Sequence, residues 1–414
     1  MRDNGDGDIV VSVGAQVHEL RLAEWTRGMS RSVLRQMIAV VSRPDILSFA
    51  GGLPAPELFP TSQYAEALTQ VLVADAGALQ YGPPFQPLKA HVVELMALRG
   101  ISCSEEQVFL TTGAQQGLDV LARLLVNPGD EVMLEEFVYT GVQQAVAPYR
   151  PCIVPITTDL EEGIDVEEVE AHLVAGGRPA FLYVIPDGHN PLGVSASRER
   201  RQRLVELTGA YGVPIIEDDP YGLLYYDGVM EPPLRAYDDE WIFYLGSFSK
   251  ILAPALRLGW IIAPEALIPR LTVTKEAGDL ESSALTQRAV AAYLDAGHLP
   301  AHLTRLRAEY GRRRDAMLSA LHRTFPAEVR WTEPRSGMFV WVALPEVVDT
   351  AELLQTAVDQ EQVAFIPGHA FAVPGCLALD DARHCLRLNF SNCSPERIEE
   401  GIRRLARVLK EVVP

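Results

Sequence analysis

Short apolar segments alternate with amphipathic segments from about residue 60 to residue 300. The apolar segments have the length of strands, and the clearest are QVFLTT, EVMLEE, AFLYVI, VPIIED, WIFYLG and LGWIIA. Segments 115–125 and 198–211 have the apolar spacing of helices, and they end before Asn127-Pro128-Gly129 and Gly212. Strands that are apolar on both faces and alternate with helices predict a three-layer α/β fold around a mostly parallel sheet.

The pattern differs towards both ends of the chain. Residues 1 to about 24 are partly polar and predict a loose arm, and residues 30–42 predict a short helix capped by Ser30 or Ser32. After about residue 283 a long helical region, shorter strands and a final helix over 395–412 predict a small α+β domain. We therefore expect an N-terminal arm and helix (1–60) that pack on the small domain and the active site, a large domain (61–300) and a small domain (301–414).

Composition narrows the function. The net charge of −19 argues against non-specific binding of nucleic acid and against an anionic membrane surface. The five cysteines are odd in number and form no C-x-x-C, which favours reduced thiols in the cytoplasm. The first residues lack the apolar run of a secretion signal, and no run of 18 apolar residues occurs.

Ligands of open parallel sheets bind beyond the carboxyl ends of the strands, so the residues that follow each strand are the candidates. After QVFLTT, Gly113-Ala114-Gln115 opens a helix whose free N–H groups could hold a phosphate, although a plain tight turn has the same sequence. After EVMLEE, Tyr139 could stack on a flat ring or simply pack. After AFLYVI, Asn190 offers a side-chain amide.

The next strand end carries acids, which are too costly to bury without partners. Asp218 follows VPIIE, and Tyr221 lies three residues further on. Three interpretations are open: a solvated acidic loop, a metal site that includes Glu217, or one carboxylate that faces a cationic ring nitrogen. A zinc site at the neighbouring His189 is disfavoured, because no second histidine lies at ligand spacing.

The segment GSFSKILAPALRLGW contains one of only four lysines in the chain, Lys250. A lysine among apolar neighbours is either a strand-end residue with its amine in solvent or an amine kept for chemistry. Ser247, Ser249 and Arg257 suit a phosphate. Taken together, the strand ends describe a flat aromatic aldehyde with a ring nitrogen, a phenolic oxygen and a phosphate, which is pyridoxal 5'-phosphate.

Seven motifs in family order over about residues 46–392 resemble the fold-type I pyridoxal-phosphate aminotransferases of class I/II, and within them the 2-aminoadipate and multi-substrate branch. The motifs are FAGGLPAPELFP, QYGPP, TTGAQQGLDVLARLLVNPGD, NPLG, EDDPYG, GSFSKILAPALRLGW and LRLNFS. The resemblance implies that fold, with a large cofactor-binding domain and a smaller α+β domain.

The resemblance also implies roles for single residues. Lys250 would bind the cofactor covalently and then move the proton, Asp218 would pair with the ring nitrogen, and Tyr221 and Asn190 would bind the phenolic oxygen. Tyr139 would stack on the ring. The phosphate would be held by Gly113, Ala114, Gln115, Ser247, Ser249 and Arg257, and by Tyr81 of the other subunit of a homodimer with shared active sites. Arg387 would grip the substrate α-carboxylate, and Asn190 and Gly52 would also contact the substrate.

Three departures from the family pattern concern the substrate more than the cofactor. The chain has EEFVY where a proline often precedes the tyrosine in the family. It has Asp187-Gly188-His189 before Asn190, where the family segment is usually bulkier, and Leu192 after Pro191, where the family often has threonine. Ser32 and Arg35 match positions that meet the distal carboxylate in 2-aminoadipate enzymes. Arg35 could equally be a surface residue, and Arg31 is a rival.

The expected reaction moves an amino group from an L-amino acid to a 2-oxo acid, such as 2-oxoglutarate. A β-lyase or decarboxylase on the same scaffold is the alternative, because fold and cofactor do not fix the reaction. A third reading is an aminotransferase-like regulator. It is disfavoured because only about 25 residues precede the match and the net charge is −19.

Overall fold

The structure is a computed structural model, and it describes residues 2–3, 9–13, 16–20, 22–26, 45–376 and 378–413. Within these residues the helices are α1 Thr61–Ala74, α2 Gln86–Leu98, α3 Ala114–Leu125, α4 Thr140–Val146, α5 Val166–Val174, α6 Arg198–Tyr211, α7 Ile268–Asp279, α8 Ala284–Asp295, α9 Leu299–Thr324, α10 Thr350–Glu361, α11 Leu379–Ala382 and α12 Pro395–Val412.

The strands of the described residues are β1 Arg2–Asp3, β2 Ile9–Val13, β3 Gln16–Leu20, β4 Leu47–Ser48, β5 Val108–Thr111, β6 Glu131–Glu135, β7 Cys152–Ile156, β8 Thr158–Asp159, β9 Gly163–Ile164, β10 Leu182–Val184, β11 Ile215–Asp218, β12 Ile242–Ser247, β13 Gly259–Ile262, β14 Arg330–Trp331, β15 Phe339–Ala343, β16 Val363–Ala364, β17 Ile366–Pro367 and β18 Cys385–Asn389.

A seven-stranded sheet in the order β5-β13-β12-β11-β10-β6-β7 forms the centre of the fold. All its strands run in one direction except β13, which is antiparallel to both neighbours. Its two faces are buried in different apolar layers: Met133 lies in one, and Val132 and Leu134 lie in the other. This alternation follows from the pleat of a strand and confirms the predicted α/β fold with a mostly parallel, mixed sheet.

A second sheet is antiparallel throughout, in the order β14-β15-β18-β17. The short strand β4 pairs with β16, so the segment after residue 45 is tied to the C-terminal part of the chain. The division of the chain at residues 60 and 300 stays a prediction.

Several helices have the predicted bounds because their capping residues fix them. Helix α6 starts after Ser197, whose Oγ accepts a hydrogen bond from Arg200 N–H, and ends at Gly212, which has a φ of 65°. Helix α12 starts in the same way, after Ser394. The long predicted helical region is instead two helices, α8 and α9, because the chain turns at Gly297 with a φ of 70°.

The prediction of a loose arm over residues 1–24 is wrong for much of that segment. Strands β1, β2 and β3 form an antiparallel sheet there. The sequence IVVSV of β2 is rich in β-branched residues, which favour the extended backbone. The predicted helix over 30–42 lies outside the described residues.

Candidate active site

The carboxyl ends of the parallel strands bring the sequence-predicted residues together. Strand β12 leads into Lys250, strand β11 ends at Asp218, and the loop after β10 carries Asn190. From the second sheet, Arg387 on β18 reaches the same place, because its Nη1 donates to Asn190 Oδ1 over 2.7 Å. The site therefore lies between the edge of the large sheet and the small sheet.

Lys250 has an amine suited to chemistry. Its Nζ donates a hydrogen bond to the carbonyl oxygen of Gly52 over 2.6 Å. Burial, together with the positive charges of Arg387 and Arg257, lowers the pKa of Lys250 to about 8, although Asp218 acts in the opposite direction. A substantial fraction of the amine is thus neutral near physiological pH, which an ordinary lysine does not achieve.

Asp218 is buried, with 3% of its surface exposed. Its Oδ2 accepts a hydrogen bond from the hydroxyl of Tyr183 over 2.7 Å, whereas its Oδ1 is buried without a hydrogen-bond partner among the described residues. Burial raises the pKa of Asp218 to about 7, against the effect of the Tyr183 hydrogen bond. A buried carboxylate oxygen without a partner is costly unless a cationic ligand group meets it.

The acids on either side of Asp218 are held by other groups. Asp219 accepts hydrogen bonds from Arg99 Nε at 3.0 Å and from the Tyr244 hydroxyl at 2.9 Å. Glu217 accepts from the backbone N–H groups of Leu234 and Arg235 at 2.7 and 2.8 Å. The three consecutive carboxyls thus point to different partners, which disfavours the solvated acidic loop and the metal site considered from the sequence.

The start of helix α3 and Arg257 form one cradle. Gly113 has a φ of 84° and caps the helix. A Cβ at this position would lie 2.4 Å from Arg257 Nη2, so only glycine fits. The first intrahelical bond is donated by Gln116 N–H to Gly113, so the N–H groups of Ala114 and Gln115 precede it at the positive end of the helix. Ser247 precedes Lys250 closely in the sequence, and its Oγ accepts a hydrogen bond from Ser249 N–H. This arrangement suits a phosphate.

Tyr139 and Tyr221 belong to the same site. The Tyr139 hydroxyl donates to Gln115 Oε1 over 3.1 Å, and Gln115 Nε2 donates to the carbonyl of Gly141. The Gln115 side chain is therefore occupied by these bonds, and its backbone N–H is the group left for a ligand. Burial raises the pKa values of Tyr139 and Tyr221, so both hydroxyls stay protonated and can donate.

Arg387 is almost completely buried, with 1% exposed. Besides its bond to Asn190, its Nη2 donates to the carbonyl of Ala50 over 2.6 Å, and its Nε has no partner among the described residues. The guanidinium carbon lies 4.2 Å from the ring centroid of Phe339 and 4.7 Å from that of Phe371. Burial lowers the pKa of Arg387 to about 10, so it is still a cation at neutral pH, and it contacts two aromatic rings.

Tyr81 is 84% exposed in the single chain. Ser32 and Arg35, like the rival Arg31, lie outside the described residues.

The departures before Asn190 are explained by buried polar contacts. Asp187 accepts from Arg99 Nη2 at 2.6 Å and from Arg201 Nη2 at 2.7 Å, and these arginines keep the pKa of Asp187 at about 2. The Nε2 of His189 lies 3.1 Å from Glu135 Oε2, and both residues are buried. Asp187 and His189 thus stabilise the loop that presents Asn190.

Sequence reasoning missed Tyr183, Phe339 and Phe371. Tyr183 is part of AFLYVI, where the apolar pattern predicts only a strand. A tyrosine inside an otherwise aliphatic, fully buried strand needs a partner for its hydroxyl, and this was the signal available. Phe339 and Phe371 carry no such signal. The contact of Phe339 with Arg387 depends on the pairing of β15 with β18, and Phe371 lies in the turn after β17, the other neighbour of β18.

The residues fit pyridoxal 5'-phosphate. The unpartnered Asp218 Oδ1 suits its ring nitrogen, the Gly113–Arg257 cradle suits its phosphate, and the Lys250 amine suits its aldehyde. A mostly parallel sheet with these groups at its carboxyl edge defines the class of pyridoxal-phosphate enzymes.

The comparisons with known proteins agree. The chain matches the family "Aminotransferase class I and II" over residues 51–405 and belongs to it. Aromatic-amino-acid aminotransferase 1 of Thermococcus litoralis is 40% identical over 403 residues, which cover 95% of both chains. The 2-aminoadipate transaminase of Thermus thermophilus is 38% identical over 386 residues, covering 92% of this chain and 94% of the relative.

A solved structure is equally similar. The kynurenine aminotransferase of Pyrococcus horikoshii, in complex with PMP, has a TM-score of 0.88 at 37% identity and covers 94% of this chain and 97% of that one. These findings confirm the expected fold, the aminotransferase class and the cofactor, pyridoxal 5'-phosphate. None of the helices in the described ranges is long and apolar enough to span a membrane.

Proposed function

We propose that this aminotransferase transfers the amino group of an L-amino acid to 2-oxoglutarate. The observation that carries the proposal is the grouping, at one sheet edge, of a lysine amine with a lowered pKa, a buried carboxylate oxygen without a partner and a buried arginine. The site then offers one group for each functional part of the cofactor and one for the substrate carboxylate.

When bound, the cofactor supplies an electron sink that stabilises negative charge on the substrate α-carbon. The protein holds and moves the protons. With its pKa lowered to about 8, the neutral Lys250 amine would hold the cofactor through its aldehyde carbon, with loss of water, and once released the same amine would take the proton from the substrate α-carbon. Asp218 would hold the protonated ring nitrogen at its free Oδ1. Tyr221 and Asn190 would donate hydrogen bonds to the phenolic oxygen, and Tyr139 would cover the ring.

Arg387 binds the substrate α-carboxylate. Its Nη atoms currently contact the oxygens of Asn190 and Ala50, and Phe339 and Phe371 fix the plane of the guanidinium. A fixed planar guanidinium can bind a carboxylate through two parallel bonds, which a lysine cannot. The backbone of Gly52, whose carbonyl oxygen contacts Lys250, would line the substrate site beside Arg387.

The donor side chain is aromatic or acidic in this proposal. The named relatives include an aromatic-amino-acid, a 2-aminoadipate and a kynurenine aminotransferase. Tyr139 and Phe339 offer aromatic surface near the site, and Ser32 and Arg35 are the candidates for a distal carboxylate.

The working unit in this proposal is a cytoplasmic homodimer with no nucleic-acid or membrane partner. Tyr81 supports it, because a tyrosine that is 84% exposed in one chain is available to reach the phosphate site of another.

The test is a visible absorption spectrum of the protein with pyridoxal phosphate during addition of single amino acids. We expect one aromatic or acidic amino acid to bleach the band of the bound cofactor and 2-oxoglutarate to restore it. Release of ammonia or carbon dioxide without pyridoxamine phosphate would instead show a lyase or decarboxylase.

A further inference from the structure

Tyr183 and Asp218 form a buried pair. Tyr183 has no exposed surface and Asp218 has 3%, and the Tyr183 hydroxyl donates to Asp218 Oδ2 over 2.7 Å. Because burial raises the pKa of Tyr183 well above its ordinary value, the phenol stays protonated. The hydrogen bond can therefore run only from the phenol to the carboxylate whenever the carboxylate is ionised.

The register of the sheet fixes this contact. Tyr183 on β10 pairs with Ile216 on β11, and Asp218 lies two residues after Ile216, on the same face. The pair therefore joins two neighbouring parallel strands at the edge where the cofactor binds.

A second tyrosine–carboxylate pair joins β12 to the residue that follows β11, on the opposite face of the sheet. Tyr244 on β12 pairs with Glu217, and its hydroxyl donates to Asp219 Oδ2 over 2.9 Å. Asp219 also receives hydrogen bonds from Arg99 and from Gly222 N–H. Tyr244 is as deeply buried as Tyr183, but it acts on a carboxylate that is already saturated.

Asp218 has no comparable support. The charged and titratable groups that act on its protonation are Tyr183 and Lys250, which favour the anion, and Asp219, which opposes it. Its own charge contributes to the raised pKa values of Tyr139 and Tyr221. Tyr183 is therefore the one neutral group among the described residues that donates a hydrogen bond to Asp218.

We infer that Tyr183 is a positioning residue for the cofactor: its hydroxyl occupies Asp218 Oδ2, keeps the carboxylate ionised and leaves Oδ1 as the oxygen that meets the ring nitrogen. This inference rests on the proposed function of the site. Tyr183 itself does not touch the reacting atoms.

The test compares Tyr183→Phe with the matched control Tyr244→Phe, and measures the equilibrium affinity for pyridoxal phosphate between pH 6 and 9. A hydrogen bond to a charged group contributes about 1.5–3 kcal/mol, which corresponds to a roughly 10- to 100-fold loss of affinity. We expect that loss in Tyr183→Phe and less than about threefold change in Tyr244→Phe.

The pH dependence gives a signature that a structural role would not produce. Without the phenol, the pKa of Asp218 rises, so the affinity of Tyr183→Phe falls further as the pH decreases, and its midpoint moves to higher pH. In an Asp218→Asn background the same substitution has no further pH-dependent effect, because the ionised partner is gone.

The inference is overturned if Tyr183→Phe keeps the wild-type affinity and midpoint, or if both Phe variants lose affinity equally. Thermal unfolding of the cofactor-free variants separates loss of fold from loss of positioning. Should the wild-type protein itself bind no pyridoxal phosphate, the proposed function fails as well, and that outcome is visible before any variant is compared.

Discussion

The amine of Lys250 lies 2.6 Å from the carbonyl oxygen of Gly52, a residue 198 positions earlier in the chain. Gly52 belongs to the segment that follows β4, which is paired with β16 in the C-terminal part of the chain. Ala50 of the same segment accepts a hydrogen bond from Arg387 on β18, so the contact joins the lysine that follows β12 of the large sheet to a segment attached to the small sheet. It stabilises the protonated amine, and the bond must open when the amine reacts.

Replacement of Gly113 tests the phosphate cradle. In Gly113→Ala the new Cβ would lie 2.4 Å from Arg257 Nη2, so we expect Arg257 to be displaced and the affinity for pyridoxal phosphate to fall about 10-fold or more, as for loss of a hydrogen bond to a charged group. Gly129→Ala is the matched control, because Gly129 has a φ of 86° but no atom within 4 Å of its Cβ position. Equal losses of affinity in both variants would argue that backbone strain alone is responsible.

Asp218→Asn is expected to stabilise the cofactor-free protein while it abolishes transamination. Folding raises the pKa of Asp218 to about 7, so the folded state binds more protons than the unfolded state and loses stability as the pH rises from about 4 to 7. The neutral amide avoids this loss. With each pKa unit worth about 1.4 kcal/mol, we expect a gain of about 1–4 kcal/mol at pH 8 and almost none at pH 4.

Urea unfolding of the cofactor-free proteins at both pH values measures that difference. Asp219→Asn serves as the comparison and should destabilise the fold, because it breaks the buried pair with Arg99. A less stable Asp218→Asn at pH 8 would show that the carboxylate is not under strain in the folded chain.

Arg387→Lys is expected to raise the KM for the amino acid much more than it lowers the affinity for pyridoxal phosphate. Lysine keeps the charge but loses the planar fork, with a loss of about 1.5–3 kcal/mol, or roughly 10- to 100-fold. Steady-state kinetics and cofactor titration provide the two values. The control is Arg313→Lys, another buried arginine, which pairs with Glu57 and Glu309 and is not among the candidate site residues. An unchanged KM in Arg387→Lys would remove Arg387 from the carboxylate site.

Capture of pyridoxal phosphate by the cofactor-free protein should depend on pH through Lys250. Only the neutral amine reacts, so with a pKa of about 8 the rate rises about 10-fold from pH 7 to pH 9 and then levels off. Arg387→Met removes a positive charge that lowers this pKa and should move the midpoint to higher pH, whereas Arg313→Met should not. Stopped-flow absorbance follows the rate, and a rise that continues to pH 10 in the wild type would contradict the lowered pKa.

The sequence predicts local features better than it predicts contacts between residues that are distant in the chain. Helix α6 is predicted with its full bounds because Ser197 and Gly212 mark its ends within the sequence. Lys250, Asp218 and Asn190 are predicted because each follows an apolar strand. The partner of Asp218 could not be predicted in the same way, because Tyr183 becomes its neighbour only when β10 pairs with β11.

The ion pairs of Asp187 could not be predicted from the sequence for the same reason. Asp187 looked like a change in the substrate pocket, and its ion pairs with Arg99 and Arg201 depend on the packing of segments that are distant in sequence. The N-terminal strands were missed because a short polar segment gives little periodic signal, even though IVVSV favours an extended backbone.

The most direct test of the account is to locate the covalent attachment of the cofactor. The protein is loaded with pyridoxal phosphate, reduced with borohydride and digested, and the modified peptide is identified by mass spectrometry. Because the chain has only four lysines, each candidate falls on a distinct sequence. We predict the phosphopyridoxyl group on Lys250, and its absence after Lys250→Arg. Modification at Lys89, Lys275 or Lys410 instead, or none at all, would contradict the assignment of this site.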